Sequence, residues 1–118
     1  MYRPRCVVAA FLLLLLRLPA NAQEAGRIRE LTASIAEGAD RETRRSAITK
    51  LLTASGIGFE LQEAGEPGRS LTNIVATVRG ETSKTILLGA HYDRVAQGNG
   101  VLDNGASCAV LLNLLESL

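Results

Sequence analysis

The stretch that most constrains this chain is Ile86-Leu87-Leu88-Gly89-Ala90, five residues without a polar break. An apolar run of this kind reads as a strand covered on both faces, as in sheets buried between helical layers. A second stretch makes the same demand. Ala106 to Leu118 is apolar almost all round, with only Ser107, Asn113, Glu116 and Ser117 polar, and such a helix needs partners on more than one side. Together they predict an α/β fold with more sheet and more helix than these residues supply. A helix that reaches Leu118 without a C-cap reads as truncated.

The chain opens with a different kind of apolar segment. Arg3 and Arg5 precede an unbroken run from Val7 to Leu16, and Ala20-Asn21-Ala22 follows as a small-residue cleavage site. That order is the pattern of a secretory signal peptide. The run falls short of the roughly 20 apolar residues that a membrane-spanning helix needs, so no stable membrane anchor is expected after cleavage. Residues 1–22 are thus assigned to export, to a secreted or periplasmic destination. Residues 23–118 remain as one small domain.

Composition narrows what that domain does. Hydrophobic residues make up 47% of the chain, too many for a disordered segment. Aromatic residues make up 3% and Trp is absent, which excludes a platform for stacking nucleic-acid bases. Three of the 13 Lys and Arg residues fall in the signal segment, leaving ten against 12 acidic residues. No basic footprint for nucleic acid remains. Cys6 leaves with the signal peptide, so Cys108 is alone and no disulfide within the chain is expected.

Along residues 23–118, Ile28, Leu31 and Ile35 recur at helical spacing up to Gly38. Asp40 can cap a second helix that buries Ala47, Ile48, Leu51 and Leu52 and ends at Gly56. Arg41, Arg44 and Arg45 are interleaved with Asp40 and Glu42, which reads as a solvated helix face. Ile57, Phe59 and Leu61 then alternate with polar or small residues as in a half-buried strand, and Gly65-Glu66-Pro67-Gly68 forms a turn. Leu71 to Arg79 reads as a further strand. The short Gly80 to Ser83 connection pairs it antiparallel with Thr85 to Ala90.

Most reactive side chains lie in the next segment, His91 to Asn104. His91, the only histidine, starts His91-Tyr92-Asp93 at the carboxyl end of the apolar strand, where open α/β sheets build their sites. An Asp two residues on can accept the other ring N–H and fix the tautomer, a frequent arrangement around zinc-bound histidines. Asp103 stands at the start of the last helix, where it serves either as an N-cap or as a carboxylate shared between metal ions. Cys108 lies one turn into that helix and reads as a packing residue rather than a nucleophile.

Asn73-Ile74-Val75-Ala76, Ile86 to Asp93 and Gly100-Val101-Leu102-Asp103-Asn104-Gly105 together resemble the N-terminal part of the zinc-dependent M28 peptidases. That family includes aminopeptidases and the glutaminyl-peptide cyclotransferases. The resemblance implies a three-layer zinc-exopeptidase fold with a mixed central sheet. It also implies His91 and Asp103 as zinc ligands, Asp93 as the active-site acid that orients His91, and one or two zinc ions in the complete enzyme. The short interval from His91 to Asp103 favours M28 over the M20 zinc peptidases. Many relatives follow the bridging aspartate with Ser-Gly, where this chain has Gly105-Ala106-Ser107-Cys108. The family's general base and remaining ligands belong to a region after this helix. The expectation is therefore the N-terminal portion of an exported exopeptidase that takes peptide substrates and is inactive alone. A cyclotransferase-like enzyme and a non-catalytic binding or structural fragment are the alternatives.

Overall fold

The computed structural model describes residues 5–66 and 68–118, with side chains described from residue 21 onward except at residue 69. Most of the segment assigned to export, residues 1–20, therefore lies outside the described side chains. Helix α1 spans Arg5–Ala36, α2 Arg41–Ala54 and α3 Ala106–Ser117; strands β1, Glu60–Glu66, and β2, Arg69–Val75, lie between α2 and α3. Among the described residues no helix is long and apolar enough to cross a membrane.

The core is a three-helix cluster. Leu31 and Ile35 from α1, Ile48 and Leu52 from α2, and Cys108, Ala109 and Leu112 from α3 are buried together. Positions three and four apart share one face of a helix, and Ile28, Leu51 and Leu115 extend the same stripes at its margin. Each fully buried aliphatic side chain contributes about 1.5–3 kcal/mol, so this contact, rather than the small sheet, carries most of the burial. The apolar side of α3 is only partly used, since Val110 and Leu114 remain exposed.

The turn between α1 and α2 is short and specified. Gly38 N–H donates to the Ile35 carbonyl at 3.2 Å. Asp40 then caps α2: its Oδ1 accepts from Thr43 N–H at 2.8 Å, and Thr43 Oγ1 accepts from Asp40 N–H at 3.1 Å. This reciprocal pair satisfies two of the donors that a helix start leaves open. The Thr43 N–H also holds the Asp40 carboxyl below its ordinary range. At the other end, Gly56 at φ 69° lets the chain reverse, and Ile57 N–H donates to the Leu52 carbonyl at 2.9 Å.

Strands β1 and β2 form an antiparallel hairpin in register from Glu60 opposite Val75 to Glu66 opposite Arg69. Helices with this sheet make the fold mixed α/β, the expected class. The turn falls at the expected place, and Gly68 adopts φ 85° there, a conformation that costs glycine little. Two strand expectations differ. Ile57 and Phe59 do pack on the core, but β1 begins after them and is exposed along its whole length. The ribbon runs off the helix cluster instead of across it.

The second difference is larger. β2 pairs with β1, and no helix or strand forms from Ala76 to Gly100. Ile86, Leu87 and Leu88 are 86%, 91% and 57% exposed. An all-apolar strand is favoured by cover on both faces. The described residues offer this segment no second layer.

Polar contacts tie the ends of α1 and α3 together. Arg27 donates to both Glu116 oxygens, from Nε at 2.9 Å and from Nη2 at 2.6 Å, and Ser55 Oγ donates to Glu116 Oε1 at 2.6 Å. Arg27 first and Ser55 second pull the Glu116 carboxyl from 4.5 down to about 2. A carboxylate with a depressed folded-state pKa stabilises the fold above its unfolded value, and that contribution is lost as the group protonates. Denaturant unfolding should therefore show stability falling as pH drops from 4.5 towards about 2. Glu116→Gln should flatten that part of the curve.

Candidate metal centre

Three side chains of the expected site come together at one place. His91 Nδ1 lies 3.0 Å from Asp93 Oδ1, and His91 Nε2 lies 3.2 Å from Asp103 Oδ1. The ring therefore sits between two carboxylates, one on each nitrogen. All three side chains are more than half exposed, at 56%, 54% and 76% for His91, Asp93 and Asp103.

The local chain accounts for this placement. Tyr92 turns inward: its ring packs on the core and its hydroxyl donates to the Thr72 carbonyl at 2.6 Å. Burial pushes the Tyr92 pKa up, with Arg45 and Arg41 opposing it. With Tyr92 anchored, its neighbours His91 and Asp93 stand on the open side. Asp103 arrives from the wide turn Val101–Gly105 that leads into α3. There Gly105 N–H donates to the Gly100 carbonyl at 3.1 Å, and Asp103 and Asn104 leave helical geometry at φ/ψ of −113°/87° and −135°/33°. The Asp103–Asn104 peptide is cis. Turns that reach five residues back often occur at functional sites. Asp103 is therefore not acting as a simple N-cap, since the N-terminus of α3 has no side-chain cap.

Cys108 meets the site at the His91 backbone. Its thiol donates to the His91 carbonyl at 3.4 Å, which ties the His91 peptide to α3. Burial raises the thiol pKa, and the nearby Arg44 charge only partly offsets this. A buried thiol with a raised pKa is a poor nucleophile, so the packing role expected for Cys108 stands.

The donor set suits part of a zinc site. Imidazole nitrogen and carboxylate oxygen bind zinc at about 2.0–2.2 Å, so two ligands of one tetrahedral ion lie roughly 3.3 Å apart. His91 Nε2 and Asp103 Oδ1, at 3.2 Å, match that separation. Asp93 on Nδ1 leaves the Nε2 lone pair for a metal. The set stops at two: Asp93 lies on the other ring nitrogen, and among the described residues no group of three or more His, Cys, Asp or Glu side chains could hold one ion.

One residue tied to this site escaped the sequence reading. Arg44 does not lie on a solvated face but is fully buried. It sits four residues before Ile48 and eight before Leu52, on the same helical stripe, and that spacing was the available signal. Arg45 likewise turns towards the hairpin, where Nη1 donates to Thr72 Oγ1 at 2.9 Å.

The model of peptidase family M28 matches residues 73–118, from the end of β2 through the His91 loop to the end of α3. Over these 46 of 118 residues the chain is similar to a family of peptidases. The matched segment carries His91, Asp93 and Asp103. No curated protein and no solved structure matches the chain.

Two outcomes follow from the site geometry. His91 is the only histidine, so its ring gives one set of nitrogen resonances. In the neutral ring these report which nitrogen carries the proton, and Asp93→Ala, which leaves Asp103 as the one carboxylate of the two on the ring, should shift it towards Nε2. A disulfide-exchange reagent at neutral pH should leave Cys108 unlabelled in the folded chain and label it on unfolding.

Proposed function

We propose that this chain is the N-terminal portion of an exported, zinc-dependent exopeptidase that hydrolyses N-terminal peptide bonds. The observation that carries this reading is the convergence of His91 Nε2 and Asp103 Oδ1, with Asp93 behind the ring, inside the M28-matched segment. In this reading His91 and Asp103 hold zinc and Asp93 keeps the ring in the tautomer that can ligate. Zinc bound there supplies Lewis acidity towards a peptide carbonyl and acidifies water. The peptide substrate enters from the open side, where all three side chains face solvent. Residues 1–22 direct export and are removed, giving a secreted or periplasmic product.

A catalytic zinc takes three protein ligands, and His91 with Asp103 supplies two. The chain alone is accordingly inactive, and the exposed Ile86-Leu87-Leu88 run is where further sheet joins it. The test extends the chain along its genomic reading frame. The longer protein should contain zinc and release p-nitroaniline from an aminoacyl p-nitroanilide. A chelator, His91→Ala or Asp103→Ala should abolish that release, and residues 1–118 should show none. Zinc content without hydrolysis, but with cyclisation of an N-terminal glutamine, would replace this reading by a cyclotransferase. An extended protein that binds no zinc would overturn both.

A further inference from the structure

The strongest unexplained feature outside the ligand pair is the Arg44 guanidinium. It is fully buried, and no carboxylate pairs with it among the described residues. Every acceptor it meets is a backbone carbonyl. Nε donates to Gly38 at 3.2 Å, Nη1 to Tyr92 at 3.3 Å, and Nη2 to Asn99 at 2.6 Å and to Gly100 at 3.2 Å.

These carbonyls are not scattered. Tyr92 directly follows His91, and Gly100 stands three residues before Asp103. The Gly100 carbonyl also accepts the Gly105 N–H that starts α3. One planar group on α2 therefore grips both ends of the loop whose two bases carry the proposed zinc ligands. A guanidinium offers five N–H donors in a rigid fork. Lysine would bring the charge without the fork.

Two glycines make the grip possible. A Cβ at Gly38 would lie 2.6 Å from Arg44 Cγ, and one at Gly100 would lie 2.6 Å from Nη2 and 2.9 Å from Nη1. Gly100 also adopts φ 61°, where a side chain is strained. The sequence thus leaves space on both sides of the side chain for its backbone partners.

We infer that Arg44 is a positioning residue that sets the spacing of His91 and Asp103 by holding the Tyr92, Asn99 and Gly100 carbonyls. It touches neither ligand and acts through their backbone. The inference rests on the zinc reading for its functional meaning, but the spacing itself is measurable without metal.

The test uses the full 118-residue chain and two readouts. The first is the cross-relaxation signal between the His91 ring and the Asp103 side chain in metal-free protein. The second is a titration with zinc alone, followed by the His91 ring resonances. The wild type should show the cross-relaxation signal, and Arg44→Met and Arg44→Lys should lose it while keeping their helical circular dichroism. Where wild type binds zinc, both variants should bind at least about tenfold more weakly, as when a partner behind a ligand is removed. Should the Arg44 variants fail to fold, Gly100→Ala carries the test beside an Arg94→Ala control, because its Cβ would meet Arg44 Nη2 and Nη1 and also Arg94 Cβ; Gly100→Ala is expected to lose the same signal and the control to keep it. A wild type without the signal overturns the inference, as does an Arg44→Lys or Gly100→Ala chain that retains the signal unchanged. A wild type that shows the signal yet binds no zinc counts against the zinc reading and leaves the positioning role supported.

Discussion

A single buried guanidinium, Arg44, joins the parts of this molecule that burial alone would leave separate. Removing an ion from water costs several kcal/mol even after relaxation, and among the described residues no carboxylate pairs with it. The compensation comes from four carbonyl oxygens on three separate pieces of chain, at Gly38, Tyr92, Asn99 and Gly100. The Gly100 carbonyl also accepts from Gly105 N–H, but those of Gly38, Tyr92 and Asn99 would otherwise need partners of their own, so the charge and the loop satisfy each other. The α1–α2 turn, the His91 loop and the entry to α3 thus share one fixed point.

Around that point the structure divides its work. Three helices supply an apolar cluster from α1, α2 and α3, and the hairpin contributes little burial of its own. The hairpin instead meets α2 through polar contacts: Arg41 donates to the Ser70 carbonyl at 3.3 Å and Arg45 to Thr72 Oγ1 at 2.9 Å. Tyr92 continues this seam by donating to the Thr72 carbonyl. The interleaved arginines that suggested a solvated face are therefore what holds the loop and hairpin to the helices.

What could be read from the sequence follows from how local each signal is. The α1 stripe, Ile48, Leu51 and Leu52 of the α2 stripe and the Asp40 cap depend on neighbours a few residues away and are found, while Gly65 and Glu66 of the expected turn belong to β1. The convergence of His91, Asp93 and Asp103 came from motif order and resemblance, and the distances place the three side chains together. Strand pairing was less legible. β2 had two candidate partners at comparable loop lengths, and the choice of β1 leaves Ile86 to Leu88 without the cover that their composition predicts. Arg44 was misread because charge outweighed position in the reading, although its spacing to Ile48 and Leu52 placed it on the buried stripe.

The site shows why the backbone, rather than side-chain burial, must set its geometry. His91, Asp93 and Asp103 are each more than half exposed, so packing around their side chains does not hold them. Their main chain is held instead: Cys108 on the His91 carbonyl, Thr72 on the Tyr92 hydroxyl, and Arg44 on both flanks of the loop. In the proposed zinc reading, a pair fixed from behind and open in front would keep its remaining coordination positions accessible. Burying those side chains would steady the same spacing, but it would close the approach that the proposed zinc and peptide would need. Arg44 and Cys108 remove that conflict by acting from the protein side, where their own burial costs the site no access.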